Sequence, residues 1–206
     1  MRNPIKSIYE WVISLSESNH GRISLALISF CEAIFFPIPP DILLIPLCLG
    51  KRKGIFSFFM ICSISSILGG ITGYFLGQSI WWSNPDQFSA VAYLFFNFIP
   101  GFSEAAFYSI KSQYELYDFW IIFTAGFTPI PFKLFTISAG AFHISFPMFI
   151  LASGTSRSLR FLILSLLLYK FGENIREFIE RYFNILAVIF TVLLIGGFFI
   201  IKTISH

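Results

Sequence analysis

The segment Thr124–Gly140, TAGFTPIPFKLFTISAG, restricts the fold more than any other stretch of the chain. It sets Pro129, Pro131, Gly126, Gly140 and Lys133 inside an otherwise apolar run. Each proline removes a backbone N–H and clashes with the preceding turn, and the residue before it is pushed toward extended geometry. A helix cannot run unbroken through such a segment. In lipid, the break persists only where it is buried in protein or lines a wet cavity. The same Pro-Ile-Pro core occurs 92 positions earlier in FFPIPPDILLIP, where Pro37, Ile38 and Pro39 match Pro129, Ile130 and Pro131, and Asp41 falls opposite Lys133. Two broken apolar segments in corresponding halves predict a transporter-like core with its site where the halves meet.

Composition identifies the solvent. The chain is 56% hydrophobic and 12% charged, with a mean hydropathy of +0.77, whereas soluble domains carry about 25% charged residues. This composition predicts an integral membrane protein. The net charge of +3 comes from scattered basic residues, which argues against nucleic-acid binding. Cys31, Cys48 and Cys62 lie in apolar segments without a Cys-x-x-Cys. They read as small buried hydrophobes, with no disulfide framework and no metal site. No cofactor is expected. Residues 1–19 lack the uninterrupted apolar core of a cleavable signal peptide.

The expected fold is all-α and polytopic. It has an amphipathic N-terminal helix, two inverted re-entrant hairpins broken at proline, and about three full transmembrane helices. Residues 1–21 hold the amphipathic helix, over 4–18, and 22–172 form the membrane domain. The first hairpin covers 22–50, with basic residues at both ends (Arg22 and Lys51-Arg52-Lys53) that suit a cytoplasmic side. Its first arm, 22–36, would reach only about 22 Å as a helix, short of a hydrocarbon core of about 30 Å. A full span over 55–80 follows, with Gly69, Gly73 and Gly77 in a small-x-x-x-small stripe suited to close helix packing, within the chain or in a homodimer. Trp81 to Pro85 mark the far interface and a turn. The outer connector, 83–118, is semi-polar and suggests surface-lying helices. The second hairpin covers 119–142 and the second span 145–170. Residues 173–206 hold a cytoplasmic linker (173–181) and a last span (183–201). This arrangement places the N-terminus in the cytoplasm and the C-terminus outside.

Few groups can carry chemistry. Arg157 and Arg160 fall near the middle of the second span, where an arginine costs about 2.5–3.5 kcal/mol by insertion scales. Spaced i,i+3, they share a helix face. They act as phosphate-binding cations or are simply neutralised by Glu32 and Asp41, although buried ion pairs stabilise poorly. Asp41 can cap the half-helix that starts at Ile42. Alternatively, Glu32 or Asp41, held in a partly dry site, can bind and release a proton. Lys133 pairs with a carboxylate or meets an anionic headgroup. Freed N–H groups where the half-helices restart favour the same charge. One phosphate would suit this slightly positive pocket. The chain has no His-Glu-x-x-His, Gly-x-Ser-x-Gly or P-loop, and His20, His143 and His206 stand far apart, so no enzymatic activity is expected.

These motifs resemble a known family. Glu32-x-x-x-x-Pro37-Ile38-Pro39-Pro40-Asp41 resembles the first signature of the DedA family, also called the VTT-domain or SNARE-associated family. AGFTPIPFKLFTISAG (125–140), followed by Phe149, Ser153, Arg157 and Arg160-Phe161, is similar to its YqaA-like branch. The resemblance covers roughly residues 22–172. It implies two facing re-entrant hairpins, a bacterial inner (plasma) membrane location and a role in membrane-lipid homeostasis. It also implies scramblase- or flippase-like movement of an anionic phospholipid or a polyprenyl phosphate such as undecaprenyl phosphate, coupled to the proton-motive force. Glu32 and Asp41 match the family's acidic pair. The Arg-x-x-Pro-x-x-Arg pattern of many relatives is replaced by Gly126 and Phe132-Lys133, so Arg157 and Arg160 are candidates to substitute, and undecaprenyl phosphate does not carry over as the assigned cargo. The alternatives are a proton-coupled small-solute carrier and a non-transporting scaffold for envelope assembly.

Overall fold

The computed structural model describes residues 15, 20–84, 87–99, 103–128 and 130–172. The expected helix over 4–18 (Leu15 apart), the linker 173–181 and the span 183–201 lie outside the described residues, as does Pro129. The described chain is mostly helical. Its helices are α1 (Gly21–Glu32), α2 (Asp41–Gly50), α3 (Ile55–Trp81), α4 (Ala90–Phe98), α5 (Glu104–Leu116), α6 (Asp118–Phe127), α7 (Phe132–Ala141) and α8 (Phe146–Phe171).

Proline chemistry sets the breaks. Residues 33–40 between α1 and α2 contain Pro37, Pro39 and Pro40, and Pro131 stands immediately before α7 with φ −60°. A proline here costs nothing, because the first N–H groups of a helix have no intrahelical partner. At about 1.5 Å per residue, α3 (27 residues) and α8 (26 residues) are each about 40 Å long. The arms α1 (12 residues), α2, α6 and α7 (10 residues each) reach only about 15–18 Å. The two long helices are apolar enough to cross a membrane, with peak mean hydropathies of 1.9 and 1.3, yet only 39% and 33% of those windows are buried. Phe56, Ile64 and Leu68 on α3, and Leu151 and Leu166 on α8, are exposed. A core helix of a soluble protein would bury such residues.

The packing is reciprocal. α1 lies on α3 and α6 on α8, while α7 lies on α3 and α2 on α8. Arg22 at the start of α1 and Lys51 after α2 line one small cavity with Phe58, near the start of α3. At the opposite end Phe142, just after α7, meets the rings of Tyr114 at 5.4 Å and Phe107 at 4.9 Å. Phe107 in turn stacks on Trp81, the last residue of α3, at 5.5 Å. The two broken pairs therefore approach each other from opposite ends of α3. Each end has its own apolar core, one around Leu43, Phe58 and Phe161 and the other around Phe107, Phe132 and Phe149.

The glycine stripe on α3 is filled from within the chain. A Cβ at Gly69 would collide with the Phe30 carbonyl of α1, at Gly73 with the Thr136 side chain, and at Gly77 with the Ile137 backbone of α7. A homodimer would have to use another face.

The described residues fit the expected all-α class, with one local addition at the connector: a short antiparallel hairpin pairs β1 (Trp82–Asn84) with β2 (Gln87–Phe88). Trp82 turns extended after α3 and stacks on Phe88 at 4.6 Å, an aromatic cross-strand pair of the kind that stabilises β pairing. α4 and α5 are exposed over most of their length and are anchored at a few positions. Ser89 and Ser103 cap them through side-chain oxygens, and Phe88, Ala92, Phe107 and Tyr114 are buried. Aromatic density at this end draws the connector onto the helix tips. Burial, with Asp118 nearby, raises the pKa of the Tyr114 phenol. The Tyr74 hydroxyl on α3 donates to the Ile144 carbonyl at 2.6 Å and ties α3 to the α7–α8 turn. Tyr74→Phe is expected to lower stability by about 1 kcal/mol, read as a lower Tm in detergent.

Candidate functional site

The breaks meet at mid-molecule, and the charged residues gather there. Arg157, at the middle of α8, donates from Nη2 to Glu32 Oε2 at 2.7 Å and from Nε to Ser66 Oγ at 2.7 Å. Its guanidinium carbon lies 4.9 Å from the Phe132 ring centre and 4.8 Å from that of Phe161. Arg157 is 3% exposed and Glu32 8%. Arginine suits this setting because its planar cation is weakly hydrated and stacks on aromatic faces. The residue thus joins α8 to α1 through Glu32, to α3 through Ser66 and to α7 through Phe132.

Arg160 leaves the same helix toward the other end of the first break. It forms an ion pair with Asp41 through Nη2 and Oδ2, and donates from Nη1 to the Phe127 carbonyl at 3.2 Å. The i,i+3 spacing thus brings both arginines to the site on separate carboxylates. Asp41 does not cap α2 as expected. It is the first helical residue, Pro40 holds the capping position without a side-chain bond, and the Asp41 carboxylate turns to Arg160 instead. Asp41 Oδ1 is buried and has no hydrogen-bond partner among the described residues.

Lys133 meets neither a carboxylate nor open solvent as its main contact. Its ammonium donates to the carbonyls of Phe36 at 3.1 Å and Phe35 at 3.3 Å. The Thr136 hydroxyl, one turn later on α7, donates to the Ala33 carbonyl at 3.0 Å. These carbonyls end α1, where the proline break leaves them without helical partners. Arg160 does the same for the end of α6 at Phe127. The first break is therefore closed by side chains of the second half, and the second break by Arg160 of its own half. Ser66, Phe132 and Phe161 were not anticipated as site residues. A lone serine or phenylalanine in an apolar run carries no signal of its own, although Gly70-adjacent Ser66 lies on the same face of α3 as the glycine stripe.

Chemically, this is a cluster of one buried ion pair, one partly exposed ion pair and one cation held on carbonyls. Arg157 is enclosed on all sides and acts as an anchor. Asp41, with one oxygen paired to Arg160 and the other without a partner among the described residues, can accept a further hydrogen-bond donor. Among the described residues Cys48 and Cys62 are buried and Cys31 is partly so, all as free thiols.

No known protein-family model matches the sequence, and no solved structure matches it. The chain is 32% identical over 197 residues to a protein of Haemophilus influenzae described as "Uncharacterized protein", covering 95% of this chain and 97% of that one. It is also 32% identical over 183 residues to "Uncharacterized protein HI0703 homolog" of Histophilus somni, covering 84% and 88%. The chain belongs to the family of these two proteins. The match to the Haemophilus relative is near full length on both sides, so the family is defined over both broken pairs and both long helices.

Proposed function

We propose that the chain is an integral protein of the bacterial inner membrane that moves an anionic lipid between leaflets, in the manner of the DedA-like proteins it resembles. In this reading α3 and α8 cross the bilayer, and the pairs α1–α2 and α6–α7 are re-entrant hairpins from opposite sides, with the N-terminus in the cytoplasm. The short arms support it, because helices of about 15–18 Å cannot cross a core of about 30 Å. The basic residues Arg22, Lys51, Arg52, Lys53 and Lys170 gather at one end, which suits the cytoplasmic face.

The observation that carries the reading is the charge cluster between the breaks, above all the buried Asp41 Oδ1, which has no partner among the described residues. Intramembrane charge marks transport pathways and proton relays. Asp41 is the proton or counter-charge site with Glu32 behind it. Arg160 and Lys133 are the cations a lipid phosphate would meet, and Arg157 holds the frame. The test is lipid translocation in proteoliposomes, with a headgroup-labelled phospholipid and a polyprenyl phosphate, with and without a pH gradient. Asp41→Asn and Lys133→Gln are expected to lower the rate at least about tenfold, the effect of about 1.4 kcal/mol on a barrier. Unchanged rates in both folded variants would overturn the proposal.

The closed state of both ion pairs favours one other reading, a non-transporting scaffold whose charges only hold helices together. No translocation of either lipid by folded wild-type protein would select it.

A further inference from the structure

A second basic feature lies away from the charge cluster. A cleft of about 830 Å³ opens between the start of α3 and the end of α8. Arg52, Lys53 and Lys170 stand on its rim, Phe56, Leu166 and Tyr169 form walls, and no carboxylate among the described residues lines it. All six of these side chains are exposed. One cation lies close against the main chain. Gly172 takes φ +57°, and a Cβ there would collide with the Arg52 guanidinium, so Arg52 sits directly over the end of α8. The apolar walls continue into the exposed flanks of α3 and α8, the surfaces argued above to face lipid.

We infer that this cleft binds the headgroup of an anionic phospholipid, with the phosphate held by Arg52, Lys53 and Lys170 and an acyl chain along Phe56 and Leu166. Charge complementarity selects an anion, and the apolar walls select one attached to a lipid tail over free phosphate. Basic pockets between membrane helices on the cytoplasmic side commonly take such headgroups. The site is separate from the Asp41 cluster and does not require that the protein transport anything. Arg52, Lys53 and Lys170 are outside the proposed transport machinery.

The test is thermal unfolding of the full chain in detergent, followed by tryptophan fluorescence, during titration with phosphatidylglycerol, phosphatidylcholine or inorganic phosphate. Phosphatidylglycerol is expected to raise the Tm of the wild type, and the other two are not. Each basic residue near an anionic lipid contributes about 1 kcal/mol, so Arg52→Gln/Lys170→Gln should weaken the effect about 30-fold and Lys53→Gln about fivefold. All these side chains are exposed, and the variants should unfold at the wild-type temperature without lipid. Equal lipid response in the variants would overturn the inference, as would an equal response to phosphatidylcholine. A shift produced by inorganic phosphate alone would reassign the cleft to free phosphate. A lipid response that appears only in Glu173→Gln/Glu177→Gln would assign the cleft to the chain's own segment 173–181.

Discussion

Glu32→Leu is expected to destabilise the protein by about 3–5 kcal/mol, the cost of stranding one member of a buried ion pair. The substitution leaves the Arg157 cation enclosed by Phe132 and Phe161 with the Ser66 hydroxyl as its one remaining side-chain acceptor among the described residues. Packing alone does not account for so large a loss, because leucine fills a similar volume. The companion variant makes the point testable. Glu32→Leu/Arg157→Met removes both charges, and replacement of a buried pair by apolar residues is often neutral or stabilising. The double variant should therefore recover most of the lost Tm. If it unfolds as easily as the single variant, the pair holds the helices through its geometry and not only through mutual neutralisation. Translocation measured on a stable double variant then separates the two roles, because a frame without charge would be intact and still silent if the site needs the pair.

Gly140→Leu should cost about 3 kcal/mol, the upper part of the range for overpacking a well-filled contact. Its Cβ would run into the Tyr74 carbonyl and the Gln78 nitrogen, and these are backbone atoms that cannot turn aside. Gly77 meets the Ile137 backbone from the other side of the same crossing. The α3–α7 contact is thus made by two helices each pressing main chain into the other's missing side chain. Gly154→Ala on α8 is the control, since its Cβ would reach only the Ile67 methyl at 3.9 Å. That change should be neutral or slightly stabilising, as helix propensity gains up to about 1 kcal/mol. Equal loss at both positions in a denaturation series would show that the close crossing is not what Gly140 is needed for.

Much of this arrangement can be read from local chemistry, and some of it cannot. Proline dictates its own consequences, so the breaks near Pro37, Pro39 and Pro131 and the limits of α3 and α8 fall within a residue or two of expectation. The gathering of Glu32, Asp41, Lys133, Arg157 and Arg160 follows from their cost in an apolar setting. Their pairing does not. Arg157 and Arg160 are one helical turn apart, but Arg157 reaches Glu32 before the break and Arg160 reaches Asp41 after it. That choice depends on how α8 crosses α1 and α2, a tertiary property with no periodic trace. Lys133 illustrates the same limit. Its charge suggests a carboxylate, but the nearest need is that of carbonyls released by prolines almost 100 residues away. The β hairpin was hidden because its strands are too short to show alternation, and the burial of Phe107 and Tyr114 because α5 carries polar residues on most of its surface.

The closure of the first break from the second half also bears on how the chain is made. The carbonyls of Phe35 and Phe36 find their donor on Lys133, 98 and 97 residues later. At about 5–20 residues per second of synthesis, the first break waits about 5–20 s for the group that closes it. In hydrocarbon, an unsatisfied carbonyl costs several kcal/mol. In the proposed membrane reading, the first half would therefore stay hydrated, at the mouth of the insertion machinery or in a water-filled vestibule, until the second half arrives, and the two halves would enter the bilayer as partners.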